Sequence, residues 1–264
     1  MNEEKRSLSL KELKAAARGQ LIGKYNIAIL AVLIVSVIYY IVMMIEVNVI
    51  GDSTAAYLTG VVIDVIVNLL FGVLAYGQAF FFLKLARGDK SLSFSDLFSG
   101  VKGLSDKTII LQAVFTVFSL ISVIPSVLLR FGAVTVPDEY YYYFAYGVIV
   151  LQYIILFVVK LYFGLSFYLL ADNKEASPLE ILKRSNELMK NKKGRLFLIY
   201  LSSIPLFLLG ILACGVGYLW FMVYFETLFA DFYLDTIGEK PFNPAASGPT
   251  EGPSDGSPTL DIRL

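Results

Sequence analysis

Between positions 142 and 171 the chain runs for thirty residues with a single charge, the ammonium of Lys160. A backbone carried through oil must satisfy its own N–H and C=O groups, so such a stretch folds as helix. At 1.5 Å per residue, about 20 residues cross a hydrocarbon layer of ~30 Å. Five further stretches have the same apolar character, residues 27–45, 61–83, 108–129, 196–213 and 216–234. The last two nearly merge, but "GILACGVG" at 210–217 divides them, and its glycines suit a tight turn between helices. Composition agrees: 57% of residues are apolar and 17% charged, where a soluble domain is about a quarter charged. The expected fold is all-α, a polytopic membrane protein of about six transmembrane helices. Residues 1–26 then form a cytoplasmic amphipathic segment and 27–240 the transmembrane domain. Residues 241–264, rich in Pro, Gly and Ser, read as a disordered cytoplasmic tail.

Net charge is zero, yet sign is unevenly distributed. In an alternating six-helix arrangement, 20 of the 22 basic residues fall in the N-terminal segment, the loops after the second and fourth stretches, and the tail. Only Arg130 and Lys160 lie elsewhere. Basic loops stay on the cytoplasmic side, so both termini are expected there. No short apolar region with a small-residue cleavage site follows the basic start, and the first helix reads as an uncleaved start-transfer segment.

The chain has no histidine. That removes the HExxH zinc site, the Ser-His and Cys-His nucleophile pairs, and the commonest general base. Cys214 is the only cysteine, so no intramolecular disulfide forms, and it reads as a small packing residue in a turn. No GxxxxGK[ST] occurs and no GxGxxG follows a strand pattern. Spacing alone brings neither Ser166, Ser202 nor Ser203 to Lys160 as a serine–lysine dyad. The topology pattern already accounts for the basic residues, which leaves nothing to mark a nucleic-acid site. The expectation is a non-enzymatic protein without cofactor or metal.

Two basic segments carry helix signals. "SPLEILKRSNELMKNKKG" opens with Ser177, Pro178 and Glu180, an N-cap, a first-turn proline and the acid of a capping box. Its apolar side includes Leu179, Leu182 and Met189, and Gly194 can end it. "SLKELKAAARG" repeats the device with Ser9 and Glu12 ahead of Leu10 and Leu13. "SFSDLF" at 93–98 reads as a shorter turn of helix. All are expected to rest at lipid headgroups. Lys183, Arg184, Lys190, Lys192, Lys193 and Arg195 are the candidate interface residues, for anionic lipid or for a cytoplasmic or membrane protein partner.

Within the apolar stretches stand Asp64, Asn68, Gln78, Gln112, Gln152, Lys160, Glu226 and Asp231. An ionisable group near mid-bilayer costs at least ~2.5–3.5 kcal/mol, so such groups face a bundle interior or a wet cavity. Asp64 and Asp231 lie about one turn from the ends of their stretches and can reach water. Glu226 lies nine residues past Gly217, ~13 Å down a helix. Lys160 has two readings. Either it sits near the midplane opposite Glu226, or its helix has crossed by Leu161 and the ammonium snorkels to the cytoplasmic edge. In the second reading "LYFGLSFYLLAD" bends at Gly164 and continues along the interface.

The blocks "LARGDKSLSFSDLFSGVKG" and "LADNKEASPLEILKRSNELMKNKKGRLFLIYLSSIPLFLLGILACGVGYLWFMVYFETLFADFYLD" resemble an uncharacterised family of bacterial integral membrane proteins, domain of unknown function 975. "LKAAARGQLIGKYNIAI" is similar to its basic N-terminal motif, and the resemblance extends over residues 10–234. Its more specific part is "ADN", the Ser185, Glu187, Leu188, Met189, Lys190 helix, Gly194, and the run through Cys214. Before Lys160, where related proteins often have Pro-Gly, this chain has "LFVV". The resemblance implies a multi-pass protein of the bacterial cytoplasmic membrane and assigns no activity or catalytic residue. The leading expectation is binding of anionic lipid or a partner at the cytoplasmic face. The alternative is a small transporter or lipid-handling protein whose polar path uses Lys160, Glu226, Asp64 and Asn68.

Overall fold

The computed structural model describes residues 7–49, 53–101, 105–130, 137–213 and 216–242. Cys214, the loop at 131–136 and the tail beyond 242 lie outside them. The described residues form α1 (Leu10–Leu21), α2 (Tyr25–Val49), α3 (Thr54–Ala86), a 3-10 helix (Phe94–Val101), α4 (Ser105–Arg130), α5 (Asp138–Phe163), α6 (Ser166–Asp172), α7 (Pro178–Met189), α8 (Lys193–Leu212) and α9 (Val216–Ile237), with no strand.

Local chemistry sets the short helices. Ser9 Oγ accepts from Glu12 N while Glu12 Oε2 accepts from Ser9 N, at 3.3 and 2.6 Å, the reciprocal capping box that starts α1. Ser177 Oγ accepts from Glu180 N at 3.3 Å and Pro178 opens α7.

Four stretches are long and apolar enough to cross a membrane, Tyr25–Ile45, Ala55–Ala86, Glu139–Asp172 and Lys193–Leu212. A fifth arises only if the 3-10 helix and Asp106–Ile121 of α4, which meet at 85°, form one broken span. By length and composition, four or five of the expected six or so are thus identified among the described residues. α9 differs from these stretches. Glu226, Asp231 and Asp235 interrupt its apolar run, and its second half is enclosed by protein, with Leu228, Ala230, Asp231, Phe232 and Leu234 fully buried. It is a central post against which α1, α2, α3 and α8 pack. Helical neighbours cover the apolar residues of its second half, while Tyr218 and Trp220 near its start are exposed. The four candidate spans are the reverse, only 17 to 22% buried. Tyr39, Ile45, Leu70 and Leu212 give these helices an exposed apolar exterior.

The core lies toward the basic end. The apolar stripe of α1, with Leu13, Ala17 and Leu21, is buried mainly against α9, and that of α7, with Ile181, Leu182 and Met189, against α5 and α6. These helices therefore do more than rest at a surface, because their stripes meet protein. The break at Gly164 is present, its N–H donating to Lys160 O at 2.9 Å. A Cβ at position 164 would lie 2.5 Å from Lys160 O and 3.2 Å from the Phe229 ring, so glycine lets α9 approach the bend. Beyond it, Ser166, Tyr168 and Leu170 of α6 are buried where it packs on α3 and α7.

Candidate functional site

The helices form a partly open cavity of about 370 Å³. α3 turns one helical face toward it, carrying Asn68, Ala75, Gln78 and Ala79, and α4 a second with Gln112, Phe115, Thr116 and Ser119. α5 supplies Leu156 and Lys160, one turn apart, just before the Gly164 break. Phe167 and Tyr168 of α6, Tyr200 of α8, and Phe225, Glu226 and Phe229 of α9 close the rest. From Asn68 to Gln78 the lining extends ~15 Å along α3.

One wall is aromatic. Phe221, Phe225 and Phe229 stack in succession down α9, with ring centroids 5.7 and 6.5 Å apart. Tyr200 packs on Phe225 at 5.0 Å and Tyr168 on Phe229 at 5.6 Å. Such contacts hold the wall rigid, because ring pairs at these separations attract beyond their buried area.

The polar groups are arranged differently. Asn68 Nδ2 donates to Asp64 O and Oδ1 at 2.9 and 2.8 Å, which commits its amide within its own helix and leaves Asp64 exposed beside it. The side chains of Gln78, Gln112, Lys160 and Glu226 make no hydrogen bond within the described residues. No approach of Lys160 to Glu226 within 4.0 Å is among the ion pairs of the described residues. Lys160 itself is exposed. It neither pairs directly with Glu226 nor stands apart from it; the two charges face one space from opposite helices. Gln152 does not line that space.

Asp231 departs from its sequence reading. It is fully buried; its Oδ1 accepts from Gln20 Nε2 at 2.8 Å, and its Oδ2 has no hydrogen-bond partner among the described residues. Gln20 Nε2 also contacts Ala86 O at 3.3 Å and Phe242 O at 2.9 Å, tying α1 to the ends of α3 and the chain after α9.

The candidate interface residues divide. Lys183, Arg184 and Lys190 are exposed. Lys192 Nζ donates to Thr236 O at 2.9 Å, and burial pushes its ammonium below the usual lysine range. Lys193 Nζ lies 3.2 Å from the Tyr162 ring centre. Arg195 pairs with Asp235 and donates to Leu8 O. A second clamp joins α3, α6 and the end of α9. Arg87 forms forked hydrogen bonds to Asp172, at 2.6 and 2.9 Å, and to Glu239, at 2.9 and 2.7 Å. These bonds, Glu239's first, hold its guanidinium above its ordinary pKa. Tyr233 Oη donates to Asp172 Oδ2 at 2.6 Å. Arg87, Asp172 and Gln20 stand out in sequence only by position. Gln20 is the polar member of an otherwise apolar stripe, a readable signal, whereas the pairing of Arg87 with residues 85 and 152 positions away is not.

A family model described as "Protein of unknown function (DUF975)" matches residues 8–240. The chain belongs to the DUF975 family. No curated protein and no solved structure matches this DUF975 chain. The matched segment opens at Leu8, whose backbone Arg195 and Asp235 hold, and closes one residue past Glu239, the last member of the Arg87 clamp. It thus contains both clamps and every residue of the cavity lining.

Proposed function

We propose that this DUF975 protein is a non-enzymatic, multi-pass protein of the bacterial cytoplasmic membrane, with both termini in the cytoplasm, that binds a small amphipathic molecule within its bundle. It acts as a small transporter or lipid-handling protein. One observation carries the reading. Lys160, Glu226, Gln78 and Gln112, from four different helices, direct unpartnered polar groups into one aromatic-walled cavity. Concave sites of ~300–1,000 Å³ with a few convergent polar groups are the usual form of a small-molecule pocket. Intramembrane charges face such paths because lipid makes them expensive elsewhere. The orientation rests on the bias of basic residues to one end. Binding of anionic lipid or a partner at the basic face is a second reading, supported by the exposure of Lys183, Arg184 and Lys190. Lys192, Lys193 and Arg195 contribute less to it, being engaged within the protein.

Single cysteines in a Cys214→Ser background test the cavity and the orientation together. In permeabilised cells a water-soluble maleimide should modify Gln112→Cys, on the cavity, at least tenfold faster than its neighbour Leu111→Cys, which is fully buried. Lys183→Cys should react after permeabilisation and stay protected in intact cells. Equal rates at 111 and 112 would contradict a wet cavity, and labelling of position 183 in intact cells would contradict the orientation.

A further inference from the structure

The cavity's own chemistry narrows what it takes. We infer that its ligand is a zwitterionic amphiphile, with a cationic group held at Glu226 and an anionic group held at Lys160, an inference that rests on the cavity being a binding site. The two protein charges line the same space without closing on one another, so each is open to a group of opposite sign. Glu226 sits between Phe225 and Phe229 on α9, with Tyr200 and Tyr168 packed against those rings. An acid beside aromatic faces is a setting that receives ammonium groups, through charge and through the ring quadrupole. Lys160 stands across the cavity in the last turn of α5 and is itself exposed. Gln78 and Gln112 add uncommitted amides, each able to donate and accept.

Charge balance decides between ligand classes. A purely anionic ligand would meet Lys160 but leave Glu226 facing like charge, and a purely cationic one would do the reverse. A neutral molecule would leave the two protein charges only each other, at a distance across the cavity. A zwitterion matches both and brings no net charge into an apolar surrounding, where an uncompensated charge is costly. Size sets a second bound. About 370 Å³ is the room of roughly a dozen waters at ~30 Å³ each. That accommodates a phosphocholine- or phosphoethanolamine-sized group with the start of a chain.

The test uses the full chain in neutral maltoside micelles and reads melting temperature. The probes are dodecylphosphocholine, dodecyl phosphate and dodecyltrimethylammonium, each at low mole fraction, and phosphocholine without the chain. Dodecylphosphocholine should raise the melting temperature by about 3 °C at tenfold excess over its dissociation constant, and the two single-charge probes by less than half as much. Glu226→Gln should move the preference to dodecyl phosphate, and Lys160→Gln to dodecyltrimethylammonium. A reciprocal gain of this kind cannot come from a variant that merely folds poorly. An effect of chainless phosphocholine equal to that of the chained probe would mark a free solute as the source; an effect of the chained probe alone would mark a lipid headgroup. Equal shifts from all three chained probes, unmoved by either substitution, would overturn the charge assignment and leave the cavity as a general amphiphile site. No shift from any probe would overturn the inference, while rapid maleimide labelling at position 112 would still uphold the wet cavity.

Discussion

Replacing Asp235 with alanine should destabilise the protein by about 3 to 5 kcal/mol, the cost of breaking a buried ion pair from one side. Only 5% of its carboxylate side chain is exposed and 21% of the Arg195 side chain it pairs with. Asp235 Oδ1 also accepts from Leu8 N at 2.7 Å, and Arg195 donates to Leu8 O. One carboxylate thus closes a ring joining the start of the chain, the first turn of α8 and the end of α9. Without it the guanidinium stays half-enclosed with no counter-charge, and the backbone of Leu8 loses a donor's partner. α1 would then be held chiefly by its apolar stripe and by Gln20. At roughly 2–4 °C per kcal/mol for a chain of this size class, melting in micelles should fall by about 10 °C. Replacing both partners, Arg195→Leu with Asp235→Leu, should cost less than Asp235→Ala alone, because no charge is stranded. A loss below about 1 kcal/mol in the single variant would class the pair with ordinary surface bridges.

The second large effect is expected at Gly77. A Cβ built there would lie 1.7 Å from the carbonyl oxygen of Leu97 and 2.5 Å from its carbonyl carbon. Those are backbone atoms of the 3-10 helix, so no side-chain rotation relieves the clash. Overpacking typically costs about 1–3 kcal/mol and more when backbone must move, so Gly77→Ala should lose about 3 kcal/mol. Gly77→Val should detach the 3-10 helix from α3 or fail to fold. The sign is informative, because glycine within a helix is worse than alanine by about 1 kcal/mol when nothing crowds it. Gly147, inside α5 with nothing within 4 Å of its would-be Cβ, supplies the control. Gly147→Ala should be neutral or stabilising by denaturant unfolding, and a similar gain at Gly77→Ala would contradict the packing described.

Much of the fold was legible in the sequence, for identifiable reasons. Helix starts at Ser9 and Ser177 depend on residues three apart, and local spacing reveals them. Long uncharged stretches predict helices because oil leaves the backbone no alternative. What local pattern does not carry is which neighbour covers an apolar face. α9 and α2 are both apolar in sequence, yet protein covers most of one and leaves much of the other exposed. Asp231 was expected near water for the same reason, since its distance from a helix end says nothing of Gln20, 211 positions away. The cavity was half-legible. Lys160, Glu226, Asn68, Gln78 and Gln112 stand out as polar groups in apolar stretches, but their convergence is a product of packing. The bend at Gly164, which Phe229 of α9 approaches closely, sets α5 across the cavity from Glu226, and that contact between residues 65 positions apart has no signal in the sequence.

Filling the cavity tests its role as a binding site most directly. Ala75 lines it without being fully buried, so Ala75→Phe places a ring in the space with little demand on the surrounding helices. Ala75→Leu is the smaller companion should the ring prove too large. With dodecylphosphocholine as probe, the unaltered protein should gain about 1.4 kcal/mol of stability at tenfold excess over the dissociation constant. The filled variant, melting normally without probe, should gain less than a quarter of that. An undiminished gain in Ala75→Phe would place the ligand elsewhere and contradict the account.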